Sequence, residues 1–134
     1  PAAGEFITAL GTTDLPVGLA TSSHQHLCEL KLGNKPWRKH FHQVICGNHP
    51  LLRHGKPAPD IFLLCAQVLG VDPRQCIAFE DSPNGIAAAV AAGMSVIAVN
   101  SPYVEREQLN DAILVIDSYH ELMPLLQAWQ ENRA

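Results

Sequence analysis

Cys76-Ile77-Ala78-Phe79-Glu80-Asp81-Ser82-Pro83-Asn84-Gly85 carries the plan of the fold. Its first part, Cys76 to Glu80, is a short and almost wholly apolar run, the pattern of a strand covered on both faces. Ser82-Pro83-Asn84-Gly85 then turns the chain into a helix over about Asn84 to Ala92, which stops at Gly93. The run Ala87 to Ala92 gives that helix a face of small residues able to lie close on a sheet. A buried strand feeding directly into a helix is the repeating unit of a parallel sheet.

The same alternation extends both ways along the chain. Upstream, Ala2 to Leu10 has Phe6, Ile7 and Leu10 at helical spacing and ends in the turn cluster Gly11 to Asp14. Pro16 to Thr21 reads as a buried strand, His24 to Leu32 as a helix, and Gln43 to Cys46 as a second strand. Gly47 to Pro59 is a loop rich in Pro, Gly and His; Asp60 to Leu69 is a helix with Ile61, Leu64, Cys65 and Val68 on one side, closed by Gly70. Downstream, Ser95 to Val99 and Ile113 to Ile116 are strands, and Tyr119 to Gln130 is an amphipathic helix with Leu122, Leu125, Leu126 and Trp129 as its apolar stripe. Five short apolar strands separated by helices predict a single α/β domain over residues 1–134, with a mostly parallel, doubly wound sheet in a three-layer, Rossmann-like arrangement.

Composition limits what such a domain can do. A chain of 134 residues, 47% hydrophobic and 16% charged, can build a proper core and is not disordered. Nine Lys and Arg against thirteen Asp and Glu give a net charge of −4, which leaves no basic field for nucleic acid or an anionic membrane. No apolar run approaches the ~18 residues of a membrane span, and no secretory signal is evident. Cys28, Cys46, Cys65 and Cys76 lie far apart among apolar neighbours, as reduced cytosolic thiols do, so a soluble, cytoplasmic protein is expected.

Ligands of doubly wound sheets bind beyond the carboxyl ends of the strands, which singles out three segments. Thr21-Ser22-Ser23 offers hydroxyls at a helix start, suited either to an anion or simply to capping the helix. In His54-Gly55-Lys56-Pro57-Ala58-Pro59-Asp60 two prolines stiffen a loop that can hold the Lys56 ammonium at a fixed point for a phosphate or carboxylate; the plain alternative is a solvated lysine. Glu80 and Asp81 leave a buried strand together, where a hard cation such as Mg²⁺ would offset their repulsion; the plain alternative has Asp81 capping the helix and Glu80 on the surface. All three segments fall on the same predicted sheet edge. A hydroxyl, a lysine and a metal-binding acidic pair together make a phosphate site.

On these residues the sequence resembles the haloacid dehalogenase superfamily of aspartate-nucleophile phosphatases. Val17-Gly18-Leu19-Ala20-Thr21 matches its strand ending in Thr or Ser, Lys56 in Gly55 to Phe62 its lysine motif, and Glu80 to Gly85 its acidic motif. The wording is most similar to the subgroup of pseudouridine-5′-phosphatase, β-phosphoglucomutase and small sugar phosphatases. The resemblance implies hydrolysis of a sugar or nucleoside monophosphate with Mg²⁺ held by Glu80 and Asp81. It also implies phosphate bound by Thr21, Ser22 and Lys56, and catalysis by Lys56 and Thr21. A phosphomutase activity stays open.

The family's nucleophile and acid/base lie in a D-x-D pattern, and none of the aspartates here forms one. The resemblance therefore implies that the first, central strand and the cap domain are absent, that the chain, which opens at Pro1, is the C-terminal part of such a core, and that it is inactive alone. A different reading is a non-catalytic module that pairs through unpaired sheet edges with a missing half, another protomer or another protein. A receiver-type signalling domain fits less well, since its acidic pair follows an early strand. Outside these segments, His24/His26 and His40/His42 read as ordinary imidazoles rather than ligands, although a strand would place the second pair on one face. Trp37, Phe41 and Trp129 read as core anchors.

Overall fold

The structure is a computed structural model that describes residues 3–132, apart from the side chains of residues 25, 26, 31 and 132. Five parallel strands, β1 (Gly18–Ala20), β2 (Gln43–Ile45), β3 (Ile77–Glu80), β4 (Ser95–Val99) and β5 (Leu114–Ile116), alternate with helices α1 (Ala3–Leu10), α2 (Gln25–Leu32), α3 (Asp60–Leu69), α4 (Pro83–Ala91) and α5 (Met123–Asn132). Short 3-10 segments occupy Pro36–His40, Pro73–Gln75, Arg106–Leu109 and Tyr119–Leu122.

Successive residues of a strand point to opposite faces, and that alternation sorts the core into two layers. Ala78, Val96 and Ala98 join Ile61, Leu64 and Cys65 of α3 and Ile86, Ala88 and Ala89 of α4 on one face. Phe79, Ile97, Val99 and Ile116 join Phe6 of α1 with Tyr119, Leu122, Met123 and Leu126 on the other. The predicted three-layer α/β arrangement is therefore present. The small-residue face of α4 works as expected: Ala88 and Ala89 have no exposed surface, and Gly93 turns the chain with φ +88°.

The strands form two sheets, β1-β2 and β3-β4-β5. Gly18 to Ala20 lie opposite Gln43 to Ile45, Ile77 opposite Ser95, and Ile97 opposite Leu114. Among the described residues, no strand pairs with the second edge of β1 or of β3. α3 spans this break, packing on β1 and β2 and also touching α4. Its close approach to β1 needs Gly18, where a Cβ would lie 2.6 Å from Cys65 Sγ.

Several local expectations are corrected. Thr21, Ser22 and Ser23 do not cap α2; the cap is His24, with no side-chain hydrogen bond. The N-cap of α4 is Ser82, not Asp81, because its Oγ accepts from Gly85 N–H at 3.1 Å. Val68 and Leu125 are 40% and 63% exposed, so neither belongs to the apolar stripe expected of it. In the C-terminal segment Leu122 and Leu126 face the core as expected, but the 3-10 turn Tyr119–Leu122 precedes α5 and Met123 joins them where Leu125 does not. Trp37 and Phe41 stack edge-to-face at 6.0 Å in neither core cluster, and Trp37 covers Gly4 of α1.

His40 and His42 do not share a strand face: Pro36 starts a 3-10 turn through His40, whose ring packs on Gly11. His42 Nδ1 accepts Val17 N–H at 2.9 Å, which extends the β1–β2 pairing. The expectation that His24 and His26 form no chelate lies outside the described residues, because the His26 side chain is not described, and so does Ala2. Among the described residues no cluster of three metal-ligating side chains occurs, and no helix is long and apolar enough to cross a membrane.

Candidate functional site

Lys56 is placed by the chain on both sides of it. Asp60, in the first turn of α3, accepts the backbone N–H groups of Arg53 and His54 on Oδ2 at 3.3 and 3.2 Å. Burial pushes the Asp60 carboxyl up, but these amides and the nearby His54 ring outweigh it and hold the acid below its ordinary range. Lys56–Pro57 is a cis peptide. Ala58 N–H closes the turn onto Gly55 C=O at 3.0 Å, and with the two bonds to Asp60 this ties down the backbone that presents Lys56.

The ammonium is not solvated. Its side chain is 14% exposed, Nζ lies 2.6 Å from Glu80 Oε1, and it stands 5.0 Å above the Phe62 ring centroid. Glu80, at the end of β3, is 11% exposed rather than a surface charge. The plain alternatives for both residues are thus overturned. An ammonium has three donors, so the bond to Glu80 leaves others for an incoming oxygen.

Glu80 can lie where it does because residue 85 is glycine. A Cβ on Gly85 would collide with the Glu80 carboxylate, which tucks against the first turn of α4. Asp81 follows at the turn and is exposed. The Tyr119 phenol is pushed up by burial and then by the charges of Asp81 and Glu80, which places it within electrostatic reach of the acidic pair.

The Thr21 segment approaches from β1. Thr21 N–H continues the ladder to Ile45 C=O at 2.9 Å, and its Oγ1 accepts Ser23 N–H at 3.2 Å. Gly47, just past β2, packs directly on the Ser22 carbonyl, where a Cβ could not fit, and donates its N–H to Ser23 C=O at 2.8 Å. Ser22, Gly47 and Lys56 then line one cavity of about 130 Å³. The structure brings Lys56 to Glu80 and Ser22 to Lys56; Thr21 is adjacent to that cavity but not on its wall. Gly47, Asp60, Gly85 and Tyr119 are the contributors that the sequence reading missed. For Asp60 the signal was present in its position directly after the prolines of the lysine loop.

The acidic pair suits a hard cation by donor type: two carboxylates at one strand end supply oxygen ligands, and Mg²⁺ keeps several waters when proteins bind it. Glu80 is shared with Lys56, which leaves Asp81 as the more accessible donor. These residues fit Mg²⁺ as a partial ligand set.

A part-buried lysine–carboxylate pair, a hydroxyl segment and a second carboxylate thus gather at the carboxyl ends of parallel strands in an α/β fold. The haloacid dehalogenase-like hydrolase family matches residues 1–93, and the chain belongs to that family. A protein of Drosophila melanogaster named "Probable pseudouridine-5'-phosphatase" is 38% identical over 128 residues, covering 92% of this chain and 55% of that protein. Fructose-1-phosphate phosphatase of Escherichia coli is 45% identical over 84 residues, covering 63% of this chain and 44% of the relative. The crystal structure of β-phosphoglucomutase from Clostridium difficile superposes with a TM-score of 0.79 at 26% identity, over 99% of this chain and 56% of that one. The chain spans about half the length of the relatives it matches.

Proposed function

We propose that the chain, as one domain, is the C-terminal portion of the core of a Mg²⁺-dependent phosphatase of small phosphorylated metabolites. The observation that carries this reading is the part-buried Lys56–Glu80 pair beside the Ser22 loop, at the carboxyl ends of the strands. Relatives named as pseudouridine-5′-phosphatase and fructose-1-phosphate phosphatase support sugar or nucleoside monophosphates as the substrate class. The likeness to β-phosphoglucomutase favours phosphoryl transfer to a second hydroxyl as the alternative outcome. A cytoplasmic location accords with the four free thiols.

In this reading Lys56 donates to a phosphoryl oxygen and neutralises its charge, held in place by Glu80. Thr21 and Ser22 donate hydroxyl hydrogen bonds to the other phosphoryl oxygens. Glu80 and Asp81 would hold Mg²⁺, which supplies further charge neutralisation when bound. The attacking carboxylate comes from a segment outside these 134 residues, since no aspartate here lies in a D-x-D pair.

The test is p-nitrophenyl phosphate turnover and Mg²⁺ titration of this chain, with and without a separately supplied first strand and cap of a relative. The chain alone should stay at background and bind Mg²⁺ weakly, and the added segment should raise both together. Robust turnover by the chain alone, lost on Glu80→Ala/Asp81→Ala, would assign the nucleophile to a residue within it and overturn this account.

A second reading is favoured by the break between β1 and β3: each has one edge without a strand partner among the described residues. Such edges add strands from another chain, and self-association would follow. Light scattering that finds a monomer at high concentration would remove it.

A further inference from the structure

We propose that Arg53 is a further phosphate-binding residue of this site, acting from the wall of the cavity that Ser22 and Lys56 also line; the inference rests on the phosphatase reading above. The cavity is walled by Ser22, Gly47, Leu52, Arg53, Lys56 and Ile61 among others, and its volume of about 130 Å³ corresponds to roughly four waters, enough for one tetrahedral oxyanion.

The charges around it are unequally matched. Lys56 is neutralised by Glu80 at 2.6 Å, and His54 Nδ1 lies 3.6 Å from Asp60. Among the described residues the Arg53 guanidinium has no carboxylate partner, although the chain as a whole carries −4. An unmatched cation on the wall of a recess attracts an anion. The apolar Leu52 and Ile61 on the same walls lower the local dielectric and strengthen that attraction.

The backbone removes part of the entropic cost. Arg53 N–H is bound to Asp60 Oδ2 at 3.3 Å, so the side chain leaves from a fixed point in the loop that also presents Lys56. A guanidinium offers paired N–H donors that match two oxygens of a phosphate. Contacts of this kind bind the dianion of a phosphate ester in ground and transition state alike, so Arg53 sets affinity for the phosphoryl group rather than the rate of its transfer.

The experiment is calorimetric titration of the chain with inorganic phosphate at low ionic strength, using wild type, Arg53→Ala, Arg53→Lys and Lys56→Ala. Arg53 is exposed, so its variants should fold as wild type; far-UV circular dichroism checks this. Arg53→Ala should weaken phosphate binding about tenfold, with Arg53→Lys recovering only part of the loss. Binding within twofold of wild type in Arg53→Ala, while Lys56→Ala abolishes it, would overturn this inference and leave the phosphatase reading standing. Weakening by Arg53→Ala but not by Lys56→Ala would keep Arg53 and overturn the role of Lys56. No phosphate binding by the wild-type chain would overturn the role of Arg53, and the turnover test with the added segment would then decide the phosphatase reading.

Discussion

The Glu80 carboxylate occupies the space that a side chain on residue 85 would fill. Alanine normally favours a helix over glycine by about 1 kcal/mol, and position 85 lies in the first turn of α4. Here the added methyl must displace a carboxylate that is part-buried and bonded to Lys56. Gly85→Ala should therefore destabilise the protein by about 2 kcal/mol, against its helix propensity. Gly55 is the contrast, because a methyl on its Cα would meet no atom within 4 Å: Gly55→Ala should stay within about 0.5 kcal/mol of wild type. Urea unfolding of the two variants side by side is the check, and equal midpoints would show that Glu80 moves aside freely.

Removing Lys56 leaves the part-buried Glu80 without its cation, and removing one partner of a fully buried pair costs about 3 kcal/mol, the upper bound here. Lys56→Met should show most of that loss. Glu80→Gln in the same chain should recover part of it, because the stranded charge is gone. A double-mutant cycle by urea denaturation reads the coupling directly. Additive effects would mean that the 2.6 Å contact contributes nothing to folding. For activity measurements the consequence is practical: a Lys56 variant needs a stability control before its turnover is interpreted.

The sequence made much of this site visible because its parts lie at strand ends. Apolar runs locate the strands, so Thr21, Glu80 and Asp81 can be placed on one edge from the residues alone. What it could not show is which polar groups are used up locally. The Thr21 hydroxyl looked like a helix cap, yet it is bound to Ser23 N–H; Asp81 looked like the α4 cap, yet Ser82 sits one residue further on with the shorter reach to Gly85 N–H. Such choices turn on a single residue of register, and apolar periodicity does not resolve that. Lys56 and Glu80 are 24 positions apart, and their union depends on α3 bridging the two sheets, a tertiary fact with no local signature. The misplaced Val68 and Leu125 have the same origin, since a helix stripe read from spacing assumes one unbroken partner surface.

The cysteines give a chemical test of burial. The Cys46 thiol is pushed up to about 11 by burial, then by its hydrogen bond to Cys28 and the charges nearby. Cys65 is likewise pushed up to about 11 by burial and by Cys76. At pH 8 a thiol of that pKa is ionised in about one molecule in a thousand, and the thiolate is the species that alkylates. Iodoacetamide at pH 8 should spare Cys46 and Cys65 in the folded protein and modify all four cysteines in urea, as read by peptide mass spectrometry. Rapid labelling of Cys46 or Cys65 without denaturant would place those thiols in contact with solvent.

Asp60 links pH to the loop that presents both Lys56 and Arg53. Its folded pKa lies below the ordinary 3.8: burial raises it, but the N–H groups of His54 and Arg53 and the His54 charge lower it by more. A depressed carboxylate contributes stability that is fully present above its unfolded pKa and disappears as pH falls through the folded value. Above about pH 5, therefore, Asp60→Asn should be less stable than wild type, since the amide keeps an acceptor but not the charge. Below about pH 4 the two proteins should converge as the wild-type carboxylate protonates. Urea midpoints from pH 7 to pH 2.5 trace this difference. Limited proteolysis adds a local readout: releasing the backbone at Arg53 should speed tryptic cleavage after that residue in Asp60→Asn at neutral pH. A gap between the two proteins that persists or widens at pH 2.5 would mean that the asparagine perturbs packing, and that the Asp60 charge does not hold the loop.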